Sequence, residues 1–227
     1  MDERYPDEFV TWRHSTPLGV KVDEVFGMDS KTGKTWLELA RQIYCEQGQP
    51  DYREISHFES GAPFIEGWAA RISITHTTHF FAVASLPKTP EVALDIFNPR
   101  TAMGIDAELA DRIQVLKIRN KFLSARESEL ISEDNLSLNI QAWTVKEALY
   151  KAAFCEGIDF KNNLQIISLP NIAQEPLADN HYIFGQAQIV FPEKLEIPVQ
   201  DMKIYSYLSY GCIVSLVISP KAARWGS

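Results

Sequence analysis

WTVKEALYKA, residues Trp143–Ala152, is the stretch that decides how this chain of 227 residues folds and what chemistry it can carry. Its apolar residues recur with helical spacing, which predicts a long helix over 138–155. On that helix Glu147 and Lys151 are one turn apart, and Lys146 lies on the neighbouring stripe. One helix face is therefore predicted to present a carboxylate and two amines.

A second stretch, Gly104–Glu108, precedes the helix and reads as a strand. On an extended strand the carboxylates of Asp106 and Glu108 point to the same side, so they can share one cation. Glu147 supplies a third carboxylate. Ligands that are all oxygens favour Mg²⁺ or Mn²⁺ over zinc, and Mg²⁺ is commonly held by a few carboxylates and substrate phosphate oxygens. Three carboxylates beside lysines therefore predict a metal-assisted phosphate site.

Three segments, taken in order, resemble the signature of a known enzyme family. They are GIDAE at 104–108, FLSARE at 122–127 and WTVKEALYK at 143–151. Each alone is common in ordinary structure, since Glu and Lys four residues apart also stabilise helix surfaces. In this order they resemble the 4′-phosphopantetheinyl transferases, in particular the two-lobed type that activates surfactin-like synthetases. With similar segments upstream, the resemblance spans residues 31 to 168.

The resemblance implies an enzyme that moves phosphopantetheine from coenzyme A to a serine of an acidic acyl or peptidyl carrier protein, releasing 3′,5′-ADP. Asp106, Glu108 and Glu147 would hold Mg²⁺ or Mn²⁺ against the pyrophosphate. Lys151 would neutralise the leaving phosphate. Glu147 or Glu127, directly or through a water, would accept the serine proton, and the sequence does not choose between them.

Contacts to coenzyme A are the next implication of the resemblance. His76 is on chemistry alone as well explained as an ordinary strand histidine, and the resemblance favours a phosphate contact. Basic residues beside the predicted first helix are commonly just solvated. The implied coenzyme contacts are His76, Thr75, Lys31, Lys34, Arg41, Lys146 and Lys151.

Two departures from the family pattern matter. Ala62, in the segment GAPF, stands where the family usually has a lysine that helps to hold the coenzyme. The stretch between His76 and Asp106 is longer than usual, with extended turns within 86–101. It contains Asp95 in a second strand-like segment, but the residue two positions on is Phe97, which supplies no ligand. We therefore assign the metal to Asp106 and interpret Asp95 as structural.

Composition excludes several classes of protein. The formal charge of −8 and pI near 5.2 argue against nucleic acid as a partner. Three widely spaced cysteines without a CxxC pattern indicate reduced thiols. The acidic N-terminus has no apolar segment typical of a signal peptide, and the longest apolar run is too short to span a bilayer. We expect a cytoplasmic protein that does not bind membranes.

Alternating apolar residues and turn signals predict strands over 53–59, 71–77, 80–86, 92–97, 102–107, 164–169, 181–191, 203–209 and 212–219. A first helix is predicted through Trp36 and Tyr44, Ser124 and Glu127 predict a capping box, and the long helix over 138–155 is expected to stop at Gly157. These elements form two α+β halves, each a mostly antiparallel sheet with a long helix, which suits the two-lobed pseudo-dimer that the resemblance implies. We expect an N-terminal lobe over 1–101 that binds coenzyme A and a C-terminal lobe over 102–227 that carries the metal site. The coenzyme cleft would lie between them. Trp143 is expected to pack at the seam between the lobes.

The segment from Arg112 to Arg126 is predicted to dock the carrier protein, because it holds five positive charges and no acid within a chain of net charge −8. An amphipathic helix face that is merely solvated is the simpler alternative. The basic residues are Arg112, Lys117, Arg119, Lys121 and Arg126. Two other functions stay open: a coenzyme A-binding protein of this fold without transfer activity, motivated by Ala62, and a metal-dependent hydrolase of phosphoanhydrides.

Overall fold

The computed structural model of the chain describes residues 10–26, 55–58, 61–65, 71–86, 102–174 and 183–220. Within them the fold is α+β with antiparallel sheets and few helices, as predicted. The strands are β1 (Val10–Ser15), β2 (Lys21–Phe26), β3 (Ile55–His57), β4 (Pro63–Ile65), β5 (Ile72–His76), β6 (Phe80–Ser85), β7 (Met103–Leu109), β8 (Leu164–Ser168), β9 (Gly185–Ile189), β10 (Gln200–Ser209) and β11 (Cys212–Ile218). The helices are α1 (Gln114–Phe122), α2 (Ala125–Leu130) and α3 (Leu136–Ala153), with a 3₁₀ helix at Glu193–Leu195.

The first sheet has the strand order β1-β2-β6-β5 and comes from the first half of the chain. Strands predicted over 71–77 and 80–86 are confirmed as β5 and β6. The described part of the strand predicted over 53–59 contains β3, which pairs with β4 in a separate small sheet. The sequence did not indicate β1, which forms the outer edge of the first sheet.

The second sheet has the order β7-β11-β10-β9-β8. The strand predicted over 102–107 is confirmed as β7. Predictions over 164–169, 181–191, 203–209 and 212–219 are confirmed as β8 to β11, with ends that differ by a few residues. Helix α3 packs across β7 and β11 of this sheet.

The two sheets meet where their edge strands β5 and β7 lie side by side. β7 pairs with β11 along one edge only, so the amides of its other edge need partners. The hydroxyls of Ser73 and Thr75 accept hydrogen bonds from the amides of Ile105 and Ala107, at 3.1 and 3.0 Å. Alternate side chains of β5 thus replace the backbone hydrogen bonds that a neighbouring strand would otherwise make to β7.

One hydrophobic core continues across both sheets. It buries Val22 and Phe80 from the first sheet against Ile105 and Tyr207 from the second. A second core lies between the second sheet and the helices, and Val145 of α3 is among its fully buried residues. The first core therefore joins the two halves of the chain through apolar burial.

The helix ends follow local signals. The predicted capping box is confirmed: Ser124 Oγ accepts from the Glu127 amide at 3.3 Å, and the Glu127 carboxylate accepts from the Ser124 amide at 2.8 Å. Helix α3 begins after Asn135, whose side chain accepts from the Leu138 amide. It ends at the left-handed residue Phe154, with φ of 56°, rather than reaching Gly157, where the sequence suggested its stop.

Some predictions lie outside the described residues. These are the first-half helix through Trp36 and Tyr44, the strand over 92–97 and the residues around the boundary between the expected lobes. In the part of the chain that the structure describes, no helix is long and apolar enough to cross a membrane.

Candidate functional site

Strand β7 and helix α3 approach each other closely at Gly104. A Cβ on this glycine would lie 1.9 Å from the carbonyl oxygen of Ala148, so only glycine permits the contact. The hydroxyl of Thr144 further fastens the helix to the sheet, because it lies 2.7 Å from the Ser215 hydroxyl of β11. The GIDAE strand and the WTVKEALYK helix are thereby brought together, with Glu147 beside the point of closest approach.

Asp106 is held by groups from both halves of the chain. Its Oδ1 accepts a hydrogen bond from the Thr75 hydroxyl at 3.1 Å and forms an ion pair with Lys151 Nζ at 2.7 Å. The same ammonium donates to the carbonyls of Ile74 and Ile105, at 3.1 and 2.9 Å. Lys151 therefore bridges strands β5 and β7 at the acidic site.

Glu108, two residues along β7, has its own basic partner. Its carboxylate forms an ion pair with the guanidinium of Arg112 and accepts from the Leu109 amide at 3.0 Å. Burial raises the pKa of Glu108, while the Leu109 amide and Arg112 act in the opposite direction. Each β7 carboxylate is thus neutralised by a basic side chain.

Glu147 completes a set of three carboxylates that influence one another. Burial, together with the charges of Asp106 and Glu108, raises the pKa of Glu147 to about 7 against the opposing charge of Lys151. Such mutual repulsion is what a bound cation relieves. Among the described residues, no three acidic, histidine or cysteine side chains already form a metal cage.

The donor chemistry of this set nevertheless fits a hard divalent cation. Asp106, Glu108 and Glu147 offer only oxygen ligands, and they lie near enough for each of the β7 charges to shift the pKa of Glu147. A cation would compete with Lys151 and Arg112 for the carboxylates and draw these together.

Lys146 and Glu127 do not join this site, contrary to the sequence-based prediction. Lys146 Nζ pairs with Glu127 at 2.7 Å and donates to the carbonyls of Phe160 and Leu164. The Glu127 carboxylate also accepts from the Ile166 amide at 2.7 Å. The two side chains are 0% and 2% exposed, and their polar atoms bind these protein partners rather than the carboxylates of β7. Adjacent helix residues point about 100° apart, which turns Lys146 away from the side of Glu147.

Two further predictions need correction. Thr75, predicted to contact the coenzyme, is buried, and its hydroxyl serves the Ala107 amide and Asp106. It positions a carboxylate instead. Trp143, predicted at the seam between the lobes, packs among the described residues between Phe122 and Phe160, which both belong to the second half of the chain.

The segment predicted to dock the carrier protein divides into two kinds of residue. Arg119 is buried and donates to the Asn139 side chain and to the carbonyls of Ser128 and Ile131, so it is structural and cannot contact a partner. Arg112 is bound to Glu108. The remaining basic side chains are exposed: Lys117, Lys121 and Arg126.

A cavity of about 580 Å³ opens beside Glu108. Glu108 and Arg112 line one side of it, and His76 lines the other with the turn that follows β5. His76 is exposed at the end of β5, where a ligand in the cavity can reach it. Lys31, Lys34 and Arg41, the other predicted coenzyme contacts, lie outside the described residues.

Arg71 is a residue that sequence reasoning missed. It is buried, donates to the carbonyl of Ala152 at 3.0 Å, and lies 4.5 Å from the ring centre of Phe154. A cation at the end of α3 complements the helix dipole and fixes the end of the helix that carries Lys151. A lone arginine before a strand gives no sequence signal for this role.

Comparison with known proteins agrees with the geometry. Residues 102–192 match the family model described as the 4′-phosphopantetheinyl transferase superfamily. The matched segment includes β7 and α3, and with them Asp106, Glu108, Glu147 and Lys151. The chain has no significant match among curated proteins.

Proposed function

We propose that the chain transfers 4′-phosphopantetheine from coenzyme A to a serine of an apo carrier protein, because residues 102–192 match the family model of the 4′-phosphopantetheinyl transferase superfamily. The observation that supports this most strongly is the contact of β7 with α3, which brings Glu147 and Lys151 to Asp106 on the strand that also carries Glu108. Glu108 in turn lines an open cavity.

The reaction is a phosphoryl-type displacement. The serine oxygen forms a bond to the pantetheine-side phosphorus of the coenzyme pyrophosphate, and the bond from that phosphorus to the bridging oxygen breaks. The product is phosphopantetheinyl-serine, and 3′,5′-ADP leaves with the electron pair. Negative charge grows on the leaving phosphate, so the site needs fixed positive charge.

Asp106, Glu108 and Glu147 are the residues proposed to hold Mg²⁺, with Mn²⁺ as a substitute. Bound there, the ion would supply Lewis-acid stabilisation of the pyrophosphate oxygens. Lys151 lies next to the same carboxylates and would neutralise charge on the leaving phosphate. Thr75 keeps Asp106 oriented through its hydroxyl.

Glu147 is the group proposed to accept the serine proton. Of the two candidates from the sequence, Glu127 already uses its carboxylate in the capping box and in the ion pair with Lys146. Glu147 is only partly buried and lies on the side of α3 that faces the β7 carboxylates. His76, across the cavity, is proposed to contact a coenzyme phosphate.

Carrier docking is proposed on the exposed stripe of α1. Lys117 and Lys121 are one turn apart, and Ile113, one turn before them, is 59% exposed. An apolar residue followed by two lysines suits an acidic partner helix that also offers an apolar contact. Arg126 on α2 adds a further exposed charge, whereas Arg119 does not.

Intact-mass analysis tests the activity directly. Several apo carrier proteins would be incubated with coenzyme A, Mg²⁺ and the protein, beside an Asp106→Ala control. We expect one carrier to gain the mass of phosphopantetheine only with the unaltered protein. Release of free phosphopantetheine without any acceptor would identify a hydrolase, and coenzyme binding without turnover would identify a binding protein.

Charge reversal tests the docking surface. We expect Lys117→Glu with Lys121→Glu to raise the carrier KM about tenfold, because long-range attraction to an acidic partner is lost. Coenzyme A affinity should not change. Lys194→Glu, at an exposed lysine elsewhere, is the matched control. Equal effects of the two changes would mean that docking is not on α1.

A further inference from the structure

The two β7 carboxylates are neutralised by side chains that stay accessible. Arg112, which pairs with Glu108, has a side chain that is 49% exposed. Lys151, which pairs with Asp106, has a side chain that is 29% exposed. By contrast, the pair of Lys146 with Glu127 is closed to solvent. Exposed ion pairs contribute little free energy, so a ligand can displace them.

Arg112 is held less firmly than Lys151. The Lys151 ammonium donates to two carbonyl oxygens besides Asp106, so loss of the carboxylate leaves it in place. The Arg112 guanidinium bonds to Glu108 alone among the described contacts. If Glu108 binds something else, the guanidinium of Arg112 is left in the cavity.

The charges on the cavity wall show how displacing Arg112 from Glu108 would change the binding of a phosphate ligand. Glu108 and Asp111 contribute two carboxylates to the wall, against the one guanidinium of Arg112. Such a wall does not attract a ligand with several phosphates. A divalent cation on Glu108 would reverse the balance and leave Arg112 facing His76 across the cavity. A planar guanidinium is well suited to bind a phosphate through two hydrogen bonds.

We propose that Arg112 is an exchangeable counter-ion that neutralises Glu108 in the metal-free protein and binds a phosphate of coenzyme A after a divalent cation takes Glu108. This role deepens the proposed function and rests on it. It also removes Arg112 from the carrier-docking surface. Arg112 then weakens the binding of the metal alone, but it strengthens the binding of coenzyme A once the metal is bound.

Calorimetric titration of the full chain separates these two effects. Arg112→Gln should bind Mn²⁺ about two- to fivefold more tightly in the absence of coenzyme, because the competing ion pair is gone. With saturating Mn²⁺ it should bind coenzyme A about tenfold more weakly, because a charge-assisted hydrogen bond is lost. Arg112→Lys should return the Mn²⁺ affinity to that of the unaltered protein, because the ion pair is restored. It should restore only part of the coenzyme affinity. Lys194→Gln removes an exposed charge elsewhere and should change neither.

The test depends on the opposite signs of the two changes, a tighter binding of Mn²⁺ and a weaker binding of coenzyme A. Arg112→Gln could leave both affinities unchanged, or it could weaken the binding of both Mn²⁺ and coenzyme A. Either result would overturn the exchange, because both are expected of an arginine with a purely structural role. Glu108→Gln is the separate test of the metal site. If it binds Mn²⁺ as tightly as the unaltered protein, the proposed function loses its metal site, whatever Arg112 does.

Discussion

Glu147 shows at the scale of single residues how the three carboxylates of the site oppose one another. Burial and the charge of Asp106 together raise its pKa to about 7. A raised pKa stabilises the fold below the ordinary pKa of the carboxyl, and this stability is lost as pH rises through about 7. We expect Glu147→Gln to raise the melting temperature of the EDTA-treated protein by about 2–4 °C at pH 8 and to change it little at pH 5. Scanning calorimetry at both pH values would test this, and an equal shift at both would contradict it.

Single residues also show the limit of sequence reasoning. Spacing placed Glu147 and Lys151 on one side of the helix, and the structure brings both to Asp106. The same reasoning assigned Lys146 to the coenzyme, but this side chain faces the core, where Glu127 and two carbonyls bind it. Local spacing gives relative directions around a helix. Which direction is buried depends on partners that are distant in the sequence.

At the scale of elements, the contact of β7 with α3 sets the distances within the site. Gly104→Ala would place a methyl group against the Ala148 carbonyl and push the helix off the strand. We expect a loss of about 1–3 kcal/mol in the free energy of unfolding, as in overpacked cores, together with weaker Mn²⁺ binding. Gly157→Ala is the control, because that glycine has φ of 76° and open space around it. It should lose stability without losing metal affinity. Intact Mn²⁺ affinity in Gly104→Ala would show that the close approach does not position the carboxylates.

Elements with strong local signals could be predicted, whereas their lateral contacts could not. The capping box at Ser124 and the strands of the second sheet follow from local chemistry. The hydroxyls of Ser73 and Thr75, which satisfy the free edge of β7, look in the sequence like ordinary strand residues. Their role depends on the meeting of two edge strands, and no local pattern encodes it.

At the scale of the whole molecule, a buried carboxylate ties the two sheets together. Glu24 on β2 accepts hydrogen bonds from the hydroxyls of Tyr207 and Ser209 on β10, at 2.5 and 2.6 Å. Glu24→Gln would replace one of the two acceptor oxygens by an NH₂ group that cannot accept, at a cost of about 1–3 kcal/mol. We expect one unfolding transition, lowered by several degrees, because the halves share a core. Asp201→Asn, at an exposed carboxylate, is the control. Two separate transitions, with only one of them lowered, would contradict this coupling.

We propose that Asp106, Glu108 and Glu147 hold one divalent cation beside the coenzyme pyrophosphate. Anomalous diffraction from crystals grown with Mn²⁺ and coenzyme A tests this proposal, because the manganese signal locates the ion independently of the protein atoms. We expect a single strong peak within coordination distance of all three carboxylates and of the pyrophosphate, with Arg112 no longer bound to Glu108. A peak elsewhere, or coenzyme bound in the cavity with these carboxylates still paired to Lys151 and Arg112, would contradict it.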